Sequence, residues 1–153
     1  MITLSLYNGH NAAICIMKDG KILLNWELER FSRIKHDYGF NQAFLDKSLD
    51  HCSLSMDDID VIITNQQSFG RNPPWYVPST GDTNSVEFSI NNKPAFAINH
   101  HLCHAASSYY TSPFDSATII TQDGGGDNEN FSWAKGQGSQ ITHFGAEKVK
   151  NIA

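Results

Sequence analysis

One pattern constrains this chain more than any other, and it occurs twice. Near the start, Ile2-Thr-Leu-Ser-Leu6 alternates as a strand does, and the polar turn Asn8-Gly9-His10-Asn11 follows. Ala12 to Met17 then reads as a second strand, Asp19-Gly20 as a two-residue hairpin turn, and Lys21 to Glu29 as a third strand. Near the other end the same order returns. Ser116 to Thr121 is a strand, Asp123-Gly124-Gly125-Gly126-Asp127 a glycine turn, and Phe131 to Lys135 a second strand. Gly136-Gln-Gly138 is the next turn and Gln140 to Phe144 the third strand. The repeat is one of topology, not of residue identity.

Two halves of this kind facing each other form a cleft, with a glycine turn from each pointing inward. That is the plan of the actin-like ATPase (ribonuclease-H-like) and sugar-kinase fold, an α/β class with a mixed sheet. The elements between the repeats agree. A helix from about Asn41 to Cys52 has Phe40, Phe44, Leu45, Leu49 and Cys52 marking its buried side, with Asn41 as its N-cap. Ser55-Met-Asp-Asp58 resembles a capping box, and Val61 to Thr64 is a buried strand. Residues 65–85 read as a long loop carrying Trp75 and Tyr76, suited to substrate contacts. Val86 to Ile90 and Ala95 to Ile98 are short strands, and a helix runs from His100 to about Tyr110. The expected division is a first lobe at 1–113 and the opening strands of a second, truncated lobe at 114–153.

Composition narrows the partners. A formal charge of −5 and a pI near 5.7 argue against nucleic acid or an anionic membrane surface. Cys15, Cys52 and Cys103 are odd in number and form no C-x-x-C pair, which points to a reducing cytoplasm. Met1-Ile-Thr-Leu lacks the basic start of a signal peptide, and the apolar run from Ala12 to Met17 is far too short to span a bilayer.

The chemistry concentrates in three places. On a helix, residues i and i+4 share a face, so His100 and His104 can hold one cation between two imidazoles. A helical wheel puts Leu102, Ala106 and Tyr109 on the apolar side and the two histidines opposite, with His101 turned away from both. A solvated helix face explains such a pair equally well. Asp123, delivered by a strand, favours the metal because divalent ions accept a carboxylate beside imidazoles. At the first turn, Gly9 lets backbone N–H groups approach an anion, and His10 stands at its mouth with a side chain suited to acid–base work or simply solvated. In Glu27-Leu-Glu-Arg-Phe-Ser-Arg-Ile-Lys-His36, Arg30 and Arg33 could clamp a phosphate or carboxylate beside Lys35 and His36, or the stretch could be a self-paired surface linker.

Four motifs in register then carry a resemblance. Gly9-His10-Asn11-Ala12-Ala13, Glu29-Arg30-Phe31-Ser32-Arg33-Ile34-Lys35-His36, His100-His101-Leu102-Cys103-His104-Ala105-Ala106-Ser107, and Ser112-Pro113-Phe114 with Asp123-Gly124-Gly125-Gly126-Asp127 occur in that order. Together they resemble the O-carbamoyltransferases of nodulation-factor and antibiotic tailoring, whose actin-like domain is similar to the tRNA threonylcarbamoyl-adenosine synthase. The resemblance implies a carbamoyl group passed from ATP-derived carbamoyl adenylate to the hydroxyl of a small acceptor, with iron as the divalent metal. It implies His100, His104 and Asp123 as metal ligands and His10 at the acceptor hydroxyl. Gly9, Asn11, Arg30, Arg33, Lys35, His36, Asp123, Gly124, Gly125, Gly126 and Asp127 would bind substrate or nucleotide. Two residues depart from the family pattern: Asn11 stands where an acidic residue is usual, and Cys103 where a small apolar one is. The adenylate-forming domain would come from a C-terminal extension or a partner chain. The contrasting expectation is a truncated module that holds metal or nucleotide without catalysis.

Overall fold

The computed structural model describes residues 1–68, 73–80, 83–127 and 129–147. The chain forms two compact units, residues 1–79 with 85–97, and residues 80–84 with 98–153. The division between these units falls ahead of the helix that begins at His100.

The first unit is built on a six-stranded mixed sheet. Its strands are β1 (Ile2–Asn8), β2 (Ala13–Lys18), β3 (Lys21–Glu27), β4 (Val61–Ser68), β5 (Ser85–Ile90) and β6 (Lys93–Ile98), in the order β3-β2-β1-β4-β6-β5. β1, β2 and β3 form the expected antiparallel meander. β4 returns parallel to β1, pairing Leu4 with Ile62 and Leu6 with Thr64. Alternation decides what is buried: Leu4 and Leu6 on β1, Ile14 and Ile16 on β2, and Ile62 on β4 all enter one core. The helix α2 (Gln42–His51) covers it with Phe44, Leu45 and Leu49. Asn41 caps α2 as expected, its side chain accepting from the Phe44 N–H at 3.0 Å. A single 3-10 turn at Met56–Asp58 carries the capping box, with Asp58 accepting from the Ser55 backbone and hydroxyl.

Two expectations are corrected. The third strand does not reach Glu29, because β3 ends at Glu27 and a short helix α1 (Leu28–Ser32) takes over. Leu28 is fully buried, which draws the chain inward, and Arg33 ends the helix in the left-handed region at φ 62°. The loop expected from residue 65 starts later, since β4 continues to Ser68; residues 69–72 and 81–82 of that loop lie outside the described set.

The second unit holds the helix α3 (His100–Tyr110) and an antiparallel meander, β7 (Ser116–Gly126), β8 (Glu129–Gln137) and β9 (Gln140–Glu147). The glycine stretch is not a tight turn from Asp123 onward. It prolongs β7 to Gly126 with a break in the ladder between Gln122 and Gly126, and the chain reverses at Asp127, φ 52°. Glycine permits this break, Gly125 lying at φ 137° where a side chain would be strained. Ala105 and Tyr109 of α3 pack on Ile119 and Ala134 of the sheet. Gly136 is glycine because the Tyr109 ring occupies the space its Cβ would take.

Stability of the first unit should follow this packing. Leu45→Ala is expected to cost about 2–5 kcal/mol through lost burial and a residual cavity. Asn41→Ala is expected to cost about 1 kcal/mol through the lost cap. Urea unfolding checks both, with a lowered midpoint at unchanged slope as the expected result.

Candidate functional site

Helix α3 starts where it does because Asn99 caps it, its side chain accepting from the Leu102 N–H at 3.0 Å. Asp127 accepts from the His100 N–H at 2.7 Å, placing a carboxylate at the positive end of the helix. The N-terminal turn is thereby fixed beside the far end of β7, while the Tyr109 hydroxyl donates to the Asp115 carbonyl just ahead of the strand.

The sequence wheel is rotated relative to what α3 does. The buried residues are His100, His101, Ala105 and Tyr109, whereas Leu102 and Ala106 are half-buried and His104 is exposed. The core seam is therefore His101-Ala105-Tyr109, at i, i+4 and i+8. A histidine can occupy that seam because its ring nitrogen has a partner: His101 Nδ1 lies 2.6 Å from the Thr121 hydroxyl, itself 2.7 Å from the Ser132 hydroxyl. These three residues were not readable as functional. The one available signal is that Thr121 sits two positions before Asp123 and so shares its face of the strand.

That strand face brings three of the expected ligands together. Asp123 Oδ2 lies 2.6 Å from His100 Nε2 and 2.9 Å from His104 Nε2, and the two ring nitrogens are 3.0 Å apart. Among the described residues this is the group of three potential metal ligands, one atom from each, that comes together. With Asp123 ionised, as its lowered pKa keeps it, protons cannot satisfy the triangle. If both rings donate to Asp123, two N–H groups face each other across the third edge. If His104 donates to His100, a bare nitrogen faces a bare carboxylate oxygen. One divalent cation at the centre satisfies all three. Ligands about 2.1 Å from an ion and at right angles lie about 3 Å apart, which is the spacing of this triangle. The residues fit a cation.

Asp123 is prepared for that role. Partial burial by itself would raise its carboxyl, but hydrogen bonds from His100, from the Gly125 N–H and from His104 outweigh it. They hold the group well below the usual carboxylate range. The glycines divide the remaining work. The Gly125 N–H is engaged by the Asp123 carboxylate itself. A Cβ on Gly126 would overlap the His100 ring, and one on Gly124 would meet nothing within 4 Å. Asp127, expected at a nucleotide, is committed to the helix N-terminus.

The other expected residues lie in the first unit. A Cβ on Gly9 would overlap the Tyr7 ring, so glycine there is a packing requirement as well as a turn. Asn11, at φ 59°, presents Oδ1 to His10 Nδ1 at 3.1 Å and to His36 Nδ1 at 3.2 Å. An amide oxygen only accepts, so in each neutral ring Nδ1 carries the proton and Nε2 is the basic atom. Glu29 accepts from the His36 N–H, and this bond, with the nearby cationic charges, holds its carboxyl below the ordinary value. Arg30 makes long ion pairs with Glu27 at 3.8 Å and Glu29 at 3.5 Å. Arg33 and Lys35 are exposed, Arg33 serving as the C-cap of α1.

Comparison with known proteins addresses what such a unit belongs to. Residues 83–147, which contain α3, β7 and the whole triangle, match the family model "Carbamoyltransferase N-terminus". Over that stretch the chain is similar to the N-terminal part of carbamoyltransferases. The nodulation protein NolNO of Sinorhizobium fredii is 27% identical over 149 residues, which is 86% of this chain and 22% of NolNO. An uncharacterized protein of Synechocystis sp., sll1178, is 26% identical over 168 residues, 87% of this chain and 27% of that protein. The chain thus spans about a quarter of the length of these curated relatives. Among solved structures, YeaZ from Pseudomonas aeruginosa matches 99% of the chain and 70% of its own length, with a TM-score of 0.53 at 10% identity. The fold is accordingly the actin-like, ribonuclease-H-like α/β class that the repeated meander predicts. Among the described residues, no helix is long and apolar enough to cross a membrane.

The two glycines should respond differently to substitution. Gly126→Ala is expected to displace the His100 ring and cost about 1–3 kcal/mol, while Gly124→Ala leaves both ring position and stability unchanged. Urea unfolding and the imidazole NMR signals of His100 read the two effects. Asp123→Asn, in chelator, should destabilise the chain at neutral pH. A carboxylate with a depressed folded pKa contributes fully above its unfolded value of about 4 and loses that contribution as pH falls toward the folded value. The gap between the two proteins should therefore narrow in acid.

Proposed function

We propose that this chain is the N-terminal portion of an O-carbamoyltransferase in which His100, His104 and Asp123 hold a divalent cation, with iron the metal implied by the resemblance. The observation that carries the reading is the triangle of two imidazole nitrogens and one carboxylate oxygen, which, with Asp123 ionised, no arrangement of protons satisfies and one cation does. When bound, the cation supplies positive charge that offsets the charge of a phosphate leaving group. In the proposed reaction the acceptor oxygen forms a bond to the carbamoyl carbon, the bond from that carbon to the adenylate oxygen breaks, and adenylate departs. His10 takes the hydroxyl proton on Nε2, the nitrogen that the Asn11 contact leaves basic.

The remaining residues take supporting parts. Gly124, with open space where a Cβ would be, lets a phosphate approach the backbone of β7. His36 and Asn11 orient the turn that carries His10. Arg33 and Lys35 supply positive charge to an anionic substrate. Carbamoyl adenylate would be made by a further domain or a partner chain, as the resemblance implies, and the acceptor is a small molecule with a free hydroxyl.

Metal content decides the carrying observation. The wild-type chain, purified and dialysed against buffer with ferrous ion under anaerobic conditions, is expected to retain close to one ion per chain. His100→Ala, His104→Ala and Asp123→Asn should each lose most of it. Equal iron in all four proteins, measured by plasma mass spectrometry, would remove the assignment.

A further inference from the structure

A cation at the triangle would replace the hydrogen bonds that now join the His100 and His104 rings to Asp123. His100 and His104 would spend their Nε2 lone pairs on the ion, and the contacts of both rings with Asp123 would cease to be hydrogen bonds. The apolar contacts that seat α3 on the sheet involve Ala105, Tyr109, Ile119 and Ala134, all on the C-terminal side of the two histidines. Asp127 anchors the first residue of α3 through the His100 N–H, which leaves the rotation of the helix against the strand to be set by a further contact. The structure assigns this to the buried chain His101–Thr121–Ser132, with His101 as the positioning residue for the two flanking ligands. The assignment rests on the cation reading above and adds to it a residue outside the ligand set.

The geometry is specific. His101 is 0% exposed, Thr121 6% and Ser132 1%, so the chain runs inside the unit. It links α3 to β7 and on to β8 through contacts of 2.6 and 2.7 Å. Each end of the first contact neighbours a ligand: His101 follows His100 directly, and Thr121 precedes Asp123 by two residues on the same strand face. His101 Nε2 is buried with no hydrogen-bond partner among the described residues. A buried orphan N–H costs more than an orphan lone pair, so the proton belongs on Nδ1. Nδ1 then donates to Thr121, and the Thr121 hydroxyl donates to Ser132. Orientation by such bonds behind the ligands is how metal sites set ligand geometry, and their loss typically weakens metal binding 10- to 100-fold.

The test uses the full chain with Co²⁺ alone as probe, because its absorption spectrum reports both affinity and coordination geometry. Thr121→Val keeps the shape but removes the hydroxyl, and is expected to weaken Co²⁺ binding about 10- to 100-fold with an altered spectrum. Thr121→Ser keeps the hydroxyl and should bind as wild type does. The double variant His101→Leu, Thr121→Val removes both polar partners and so leaves no orphan group; it should fold stably and still bind weakly. Two metal-free readouts accompany these. Imidazole ¹⁵N spectra should show His101 protonated on Nδ1, and the cross-relaxation between the His100 ring and the Gly126 α-protons should be lost in Thr121→Val. If Co²⁺ affinity and that cross-relaxation match wild type in the Val variant and in the double variant, His101 only packs and the positioning role is overturned. Failure of the cation reading looks different. Wild type would then bind no Co²⁺, or His100→Ala would bind it equally well, and the ¹⁵N and cross-relaxation results would decide the positioning role alone.

Discussion

Two imidazole nitrogens and one carboxylate oxygen crowd into a triangle with edges of 2.6, 2.9 and 3.0 Å, and much of the second unit serves to bring them there. Such a cluster is costly to assemble from protons alone, since with Asp123 ionised one edge carries either two hydrogens or none. It persists because the backbone around it is over-determined. Asn99 and Asp127 fix the first turn of α3, Gly126 clears room for the His100 ring, and the alternation of β7 puts Asp123 on the same face as the buried Thr121. Each device is local, and each fixes one coordinate of the same three atoms.

The two units use one plan for different ends. In the first, the meander of β1, β2 and β3 is extended by a parallel strand and covered by α2, which gives a large apolar core and a polar turn at Gly9. In the second, the meander β7, β8 and β9 carries one helix and a small core, and its polar residues are invested beneath and within the triangle. The relationship to carbamoyltransferases covers residues 83–147 by family model, so the matched stretch is the one that contains the triangle. His10, Asn11 and His36 lie ahead of it, joined by a single amide oxygen that sets the tautomer of both rings.

Much of the fold was legible because it is periodic. Alternation in Ile2 to Leu6 and in Ala12 to Met17 located strands, the Asp19-Gly20 hairpin fixed their pairing, and Asn41 marked the start of α2. What the pattern could not supply was the behaviour of residues whose environment is non-local. Leu28 pulled a helical turn out of an expected strand because a fully buried position was waiting for it. Gly124, Gly125 and Gly126 looked alike in sequence, yet one is exposed, one lies at φ 137° with its N–H on Asp123, and one gives way to an imidazole ring.

The candidate site divides in the same way. The sequence by itself determined that His100 and His104 share a helix face, that a strand delivers Asp123, and that a glycine stretch follows. Those facts depend only on helical and strand periods, which local chemistry dictates. Only the tertiary structure decided which way the helix faces. A wheel weighted by apolarity centres the buried side on Leu102, Ala106 and Tyr109, because an imidazole without a known partner does not count as core. His101 escapes that rule because Thr121, twenty residues along the chain, offers a hydroxyl in the interior, and with His101 inside, His100 is carried to the carboxylate. Hydrogen bonding between distant residues overrides the polarity of the nearby ones, and no reading of one segment at a time can see the partner.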